Sequence, residues 1–360
     1  MSAITNQISP VTRHQTAVVI GRFQIFHQGH LQLVRQALAL AEHVIIVLGS
    51  ARQARTPRNP FTWQEREAMI RLCLTEAEQH RLIFLPLRDY YQQDLWVLAL
   101  QQQVGQIQTE RGLNPNDVVL LGYNKDFTSD YLHAFAPWML VELEYFQGID
   151  AQALRHILFV SDDLDAALAV LQGYVPVACL HYLRAWCQLG YFADLRQEYA
   201  YLLAYQKSWS VAPYPPIFTT VDNLVRVNQH VLLIRRAGYP CKGLWALPGG
   251  FVDANERLQT AALRELREET GLVVLTETLK AALQNVVVFD HPQRSQRGRT
   301  ITHTHYFKLN QEHLPEIQAD DDAAEAVWMP IARIPELEAE FCDDHFQMLN
   351  YFLHLELQAL

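Results

Sequence analysis

The sequence has no apolar run approaching the roughly 18 residues that a membrane-spanning helix needs, which excludes such a helix as an expectation. The first sixteen residues, MSAITNQISPVTRHQT, carry one arginine and no sustained apolar stretch, so they do not read as a secretory signal. Both absences predict a soluble, cytoplasmic protein with no membrane partner. The five cysteines, Cys73, Cys179, Cys187, Cys241 and Cys342, are odd in number and contain no C-x-x-C spacing. That pattern fits free thiols in a reducing compartment better than a disulfide framework. Basic charge is also short: 29 Lys and Arg stand against 39 Asp and Glu, giving a net charge of -10. Nucleic acid and anionic lipid call for a basic surface, so neither is an expected partner, although a local basic pocket for a phosphorylated metabolite is compatible with this balance. Internal repeats and low-complexity tracts are missing as well.

Half of the 360 residues are hydrophobic, so the chain can bury a core, and its length predicts two to three domains. Residues 17–21 read as a buried strand, 30–42 as an amphipathic helix and 43–49 as a second buried strand, which is a βαβ unit and implies a parallel sheet. The alternation continues with a helix over 62–79, a strand over 81–87, a helix over 94–109 and a strand over 118–121. A helical, aromatic-rich stretch over 181–210 is then broken by APYPPIF at 212–218, because proline at this density ends a helix. Beyond it, strands are expected at 218–227, 230–235, 284–289 and 300–309, with a helix at 256–270.

The turn GRFQIFHQGH at 21–30 joins the first strand to the first helix, at the carboxyl edge of a parallel sheet where α/β folds bind ligands. A helix beginning near Gly29 or His30 aims unpaired N–H groups at that crevice. His27 and His30 could donate to phosphate oxygens there, while Gly21 and Gly29 would let the backbone come close. Isolated histidines at a helix start are also ordinary capping residues, and it is the whole string that favours a phosphate cradle. GRFQIFHQGH resembles the G-R-F-x-P-x-H-x-G-H signature of nucleotidylyltransferases, particularly nicotinamide mononucleotide adenylyltransferases of the archaeal type. The resemblance continues through GSARQARTPRNPFTWQER (49–66), LRDYYQQDLW (87–96) and LGYNKDFTSDYL (121–132) and covers most of residues 15–155.

That resemblance implies transfer of an adenylyl group from ATP to nicotinamide mononucleotide, giving NAD and pyrophosphate. The attacking phosphate is already anionic, so catalysis rests on in-line positioning and charge neutralisation rather than on a strong base. By resemblance, His27 and His30 hold ATP phosphates, Arg22 and Arg155 supply positive charge, Gly21, Phe23 and Gly29 line the nucleotide site, and Trp96 stacks on the nicotinamide ring. An aromatic at helical spacing, such as Trp96, equally reads as core. Two positions depart from the family. Ile25 replaces its proline, and the later I-S-S-T-x-I-R motif appears as IDAQALR at 149–155, which keeps Arg155 but puts Asp150, Ala151 and Gln152 where small hydroxyl residues are usual. Asp150 beside an ATP phosphate would be repulsive and would weaken synthesis.

A second constellation, LPGGFVDANERLQTAALRELREETGL, spans 247–272. On a helix Glu265, Glu268 and Glu269 fall at i, i+3 and i+4, so three carboxylates share one face, and Glu256 in the preceding loop can reach back toward them. Such a face suits Mg²⁺, with Mn²⁺ as an alternative, beside a pyrophosphate. RELREE alone would read as a solvated helix with Glu/Arg pairs. With Gly250, Glu256 and Gly271 at their offsets, the stretch resembles the Nudix box G-x5-E-x7-R-E-U-x-E-E-x-G-U at every fixed position, U being a bulky aliphatic residue. Downstream, VFDHPQRSQRGRTITHTHYFKL (288–309) resembles a segment of Nudix ADP-ribose pyrophosphatases and of related ADP-ribose-sensing regulators. Arg294, Arg297 and Arg299 would then meet a phosphate or terminal ribose, and a basic surface loop is the other reading. The acidic run from Asp320 reads as a solvated loop, and His303 with His305 lacks a third ligand for zinc.

The expectation is therefore an α/β chain in which a doubly wound, Rossmann-like nucleotidylyltransferase domain (1–183) and a helical linker (184–212) precede an α+β Nudix domain (213–360). The order of parts resembles the bifunctional bacterial enzymes that join NAD synthesis to hydrolysis of ADP-ribose to AMP and ribose 5-phosphate. Its small-molecule partners would be ATP as substrate, nicotinamide mononucleotide, NAD and ADP-ribose, and a homo-oligomer is compatible with the sequence. Two alternatives stay open: a degenerate first domain beside an active Nudix enzyme, and an ADP-ribose sensor that does not hydrolyse.

Overall fold

The computed structural model describes residues 13–123, 127–143, 148–355 and 357. They form two compact units. The first gathers the chain up to Ala51 with Trp63–Ile157 and Asp163–Ala185; the second gathers Arg52–Thr62, Leu158–Asp162 and Trp186–Leu360.

In the first unit the apolar runs become strands and the segments between them helices. The order is β1 (His14–Gly21), α1 (Gln28–Leu40), β2 (Ala41–Leu48), α2 (Trp63–Leu72), α3 (Glu76–Gln79), β3 (Leu82–Pro86), α4 (Gln93–Arg111), β4 (Val118–Tyr123) and β5 (Met139–Leu143). Helices α5 (Ala151–Val160), α6 (Leu164–Leu171) and α7 (Val177–Trp186) follow. The sheet runs β3-β2-β1-β4-β5 with every pair parallel. Strand order reverses between β1 and β4, so the crevice at their carboxyl ends is the expected binding position of a doubly wound fold. One face of this sheet buries Val18, Ile45, Val47, Leu85 and Leu120 against Leu100 and Val104 of α4. The helix expected over 62–79 is two helices. After Leu72 the chain breaks, and Thr75 caps α3 by accepting the Glu78 N–H at 3.3 Å while its own N–H donates to Glu78 Oε2 at 2.8 Å.

In the second unit, α8 (Gly190–Ser208) precedes β6 (Ile217–Val227), β7 (His230–Arg236), β8 (Trp245–Ala246) and β9 (Gly249–Phe251). Next come α9 (Leu258–Thr270), α10 (Thr276–Ala282), β10 (Leu283–Phe289), β11 (Arg299–Leu309), β12 (Ala323–Pro330) and α11 (His345–Leu353). The helical stretch expected over 181–210 is thus divided, with α7 ending at Trp186 and α8 starting at Gly190. The main sheet runs β10-β11-β6-β7-β12 and is mixed, since β11 pairs parallel with β6 while the other pairs are antiparallel. Leu263 and Leu266 of α9 pack on Val225, Leu232, Phe307 and Leu309, which turns the opposite face of that helix outward.

Cysteine chemistry departs from the expectation. Cys241 and Cys342 are joined by a disulfide across 101 residues, and only Cys73, Cys179 and Cys187 are free thiols. No C-x-x-C spacing announces such a pair, because its members meet only when the loop after β7 folds onto the segment before α11. Among the described residues no helix is long and apolar enough to cross a membrane.

Candidate functional sites

In the first unit the turn after β1 is built around His27, the N-cap of α1, whose extended backbone (φ -130°, ψ 175°) starts the helix. His30 lies one turn on, so the two rings stack with centroids 3.6 Å apart. The His27 N–H points to His30 Nδ1 at 3.4 Å, so His30 does part of a capping residue's work. That contact leaves Nε2 as the donor side of the neutral ring. Burial, and then the neighbouring His27, hold the His30 imidazole well below its ordinary value, so His30 presents a neutral N–H donor rather than a cation.

Positive charge comes from arginines around the turn. Arg22 is exposed at the end of β1, and Arg155 in α5 is buried with Nη1 donating to the Gln24 carbonyl. Phe23 sits at φ 53° with its ring edge-on to His30, and the Gln24–Ile25 peptide is cis. Gly29 is buried, and its carbonyl accepts the Tyr123 hydroxyl of β4 at 2.8 Å, which ties the helix start to the neighbouring strand. Trp96 is partly buried on α4, edge-on to Tyr131 and Phe135 at 5.5 and 5.4 Å, so its ring belongs to an aromatic cluster on the core. Asp150 is exposed and caps α5, its carboxylate accepting the Gln152 N–H at 3.0 Å. Asn124 to Asp126, within LGYNKDFTSDYL, lie outside the described residues.

Arg66 of α2, fully buried, was not singled out from the sequence. Its Nη1 donates to the carbonyls of Arg22 at 2.7 Å and Gly49 at 2.6 Å, and its Nη2 to Ser50 at 3.4 Å. It therefore clamps the carboxyl ends of β1 and β2 together. Burial lowers its pKa to about 10, against an opposing pull from Asp89, so it stays charged at neutral pH.

In the second unit α9 presents Glu265, Glu268 and Glu269 as its periodicity requires, and Arg264 organises the first two together with Glu256. The guanidinium donates to Glu256 Oε1 at 2.5 Å, to Glu265 Oε1 at 2.8 Å and to Glu268 Oε2 at 2.8 Å, and also to the Phe251 carbonyl at 3.2 Å. Glu256 thus folds back on the helix as expected, and these hydrogen bonds hold its carboxyl below the ordinary range. Glu269 is 2% exposed, and its Oε2 accepts the Gly249 N–H at 2.7 Å. Burial drives Glu269 up to about 8 and raises Glu265 as well. Gly250 is a requirement of this packing, because a Cβ there would lie 2.6 Å from the Glu265 carboxyl. Gly271 ends α9 in the left-handed conformation, φ 53°, and its N–H returns to the Arg267 carbonyl at 2.8 Å.

Two of the three downstream arginines, Arg294 and Arg297, come together around the buried acids Asp222 and Asp343. Arg294 is buried and bidentate on Asp344 at 2.8 and 3.0 Å, with Asp222 at 3.9 Å, which makes it an interior ion pair rather than part of a basic surface loop. Arg297 lies over the Phe251 ring at 4.8 Å, and Arg299 donates to the Asp290 carbonyl. Asp222, Asp344 and His345, which surround this region, carry no spacing that marks them in the sequence.

Two family models match this chain: the one described as Cytidylyltransferase-like over residues 18–141, and the one described as NUDIX domain over residues 217–352. A nicotinamide/nicotinic acid mononucleotide adenylyltransferase of Acinetobacter baylyi is 33% identical over 183 residues, covering 51% of this chain and 92% of that protein. The crystal structure of a bifunctional NMN adenylyltransferase/ADP ribose pyrophosphatase from Francisella tularensis, complexed with AMP and Mn, aligns with TM-score 0.85 and 32% identity. The alignment covers 95% of this chain and 99% of that one. The chain belongs to this bifunctional family. Its Nudix half is also similar to an ADP-ribose pyrophosphatase of Methanocaldococcus jannaschii, 35% identical over 117 residues, which are 32% of this chain and 64% of that protein. The parallel-sheet unit corresponds to the adenylyltransferase half and the mixed-sheet unit to the Nudix half.

Proposed function

We propose that this chain makes NAD and pyrophosphate from ATP and nicotinamide mononucleotide in its N-terminal part, and hydrolyses ADP-ribose to AMP and ribose 5-phosphate in its C-terminal part. The observation that carries the reading is the joint presence of a His27/His30 cradle at the switch point of one sheet and a four-carboxylate cluster beside a double glycine on another. We assign the first activity to residues 1–183, the second to 213–360, and a connecting role to 184–212. The protein acts in the cytoplasm.

In the synthetic half His27 and His30 donate hydrogen bonds to ATP phosphates, and Arg22 and Arg155 offset the charge that builds on the departing pyrophosphate. Gly21, Phe23 and Gly29 shape the nucleotide pocket, and Trp96 forms one wall for the nicotinamide ring. Asp150 has a structural role at the start of α5, where its carboxylate accepts the Gln152 N–H. In the hydrolytic half Glu256, Glu265, Glu268 and Glu269 would hold Mg²⁺ or Mn²⁺. The fit is chemical: Arg264 gathers Glu256, Glu265 and Glu268 by hydrogen bonds, Glu269 lies close enough to Glu265 for the two carboxyls to repel, and all four offer the oxygen ligands such ions prefer. Such an ion polarises phosphorus and acidifies a water. Arg264 keeps the carboxylates together, Gly249 orients Glu269, and Arg297 with Phe251 borders the sugar end.

One preparation of the full chain tests both halves. With Mg²⁺, ATP and nicotinamide mononucleotide it should form NAD, and with Mg²⁺ and ADP-ribose it should release AMP. Absence of either product removes that half of the reading. A non-hydrolysing sensor would have no use for this carboxylate set.

A further inference from the structure

The segment Phe341–His345 runs beside the lead-in to the double glycine. Phe341 forms an isolated parallel bridge with Trp245, and the Cys342 N–H donates to the Trp245 carbonyl at 2.9 Å. Cys342 is also tied by its disulfide to Cys241 in the loop after β7. Two residues further along, the Leu247 N–H donates to Nδ1 of His345, the first residue of α11, at 3.0 Å. Leu247 is 1% exposed, so without this acceptor its N–H would be buried and unsatisfied. The next two residues are pinned in turn. Asn223 donates to the Pro248 carbonyl through both its backbone N–H at 2.8 Å and its side-chain amide at 3.2 Å. The Gly249 N–H then holds Glu269 Oε2 at 2.7 Å.

We propose that His345 is a positioning residue for hydrolysis: by accepting the Leu247 N–H it sets the 247–249 backbone, and through Gly249 it sets Glu269. The inference rests on the proposed role of Glu269. Geometry requires a lone pair on Nδ1, hence a neutral ring with its proton on Nε2. Burial and nearby Arg294 and Arg236 push the ring down to about 4, while Asp344 and Asp343 oppose them. His345 is therefore an acceptor throughout the physiological range.

Three variants of the full chain separate positioning from bulk packing. Asn places Oδ1 where the histidine has Nδ1, whereas Gln places its oxygen near the Nε2 position. H345A should lower kcat for AMP release about 10- to 100-fold. It should leave KM within about twofold and NAD synthesis unchanged. It should also speed amide exchange across 245–249. H345N should retain wild-type turnover and exchange, and H345Q should behave like H345A. An unchanged kcat in H345A, equal losses in H345N and H345A, or a parallel fall of NAD synthesis would each overturn the proposal. If H345A does not accumulate as folded protein, the contrast between H345N and H345Q decides alone. Wild-type chain that releases no AMP would instead refute the hydrolytic reading, and the exchange comparison would still test the pin.

Discussion

Glu269 gives the most quantitative test of how the carboxylate face is built. Its carboxyl ionises at about 8 in the folded, metal-free chain and near the ordinary carboxylate value when unfolded. Between those limits the folded state binds a proton that the unfolded state has lost, so stability is greatest below the unfolded value and falls as the pH rises through about 8. A shift of this size corresponds to about 4 to 5 kcal/mol over the whole window, or roughly 1.4 kcal/mol per pH unit within it. The perturbation is E269Q, whose amide oxygen can still accept the Gly249 N–H but cannot titrate. Urea unfolding of chelator-treated full chain, read by amide exchange across α9 at several pH values from 5 to about 8.5, should show a steeper decline for wild type than for E269Q. Buried acids that Glu269 does not act on, Asp343 among them, contribute to both curves and cancel in the difference, whereas Asp222, which repels Glu269, is part of what the difference reads. Added Mg²⁺ should reverse the decline in wild type alone. Parallel curves for the two proteins would refute the reasoning.

Three further outcomes follow from the geometry. R66M leaves three carbonyls at the ends of β1 and β2 without their donor, so it should destabilise the adenylyltransferase unit by about 3 to 5 kcal/mol, with R66K recovering part of this; an unchanged unfolding midpoint for that unit would contradict it. H30A should lower kcat/KM for NAD formation by about a hundredfold while leaving AMP release intact, as measured on the same preparation. Reduction of Cys241–Cys342, which closes a loop of 101 residues, should remove about 4 to 5 kcal/mol from the Nudix unit in the chain-entropy view; thiol titration verifies reduction, and an unmoved midpoint would count against it.

The sequence carried the fold where periodicity is strong. Ala17 to Ile20 and Val44 to Leu48 are apolar runs between helical patterns, so the parallel βαβ start was readable before any coordinates, and Glu265, Glu268 and Glu269 share a helix face by arithmetic alone. The break between α2 and α3 was also written locally, as a Thr75–Glu78 capping box inside an otherwise helical pattern, but a window that averages over it hides the cap. What escaped is tertiary. Arg66 reads as one more charge on an amphipathic helix until the strand ends it clamps are brought to it. Arg294 reads as part of a basic loop until Asp344, fifty residues later, is packed against it. Cys241 and Cys342, like Leu247 and His345, are about a hundred residues apart, and no spacing rule connects them.

The central claim is that one chain holds two separate chemistries, and a crossed pair of variants measures this most directly. H30A and E268Q, each assayed for NAD formation and for AMP release, should give opposite patterns: H30A loses the first and keeps the second, and E268Q does the reverse. Loss of both activities in either variant, or undiminished AMP release by E268Q, would contradict the account.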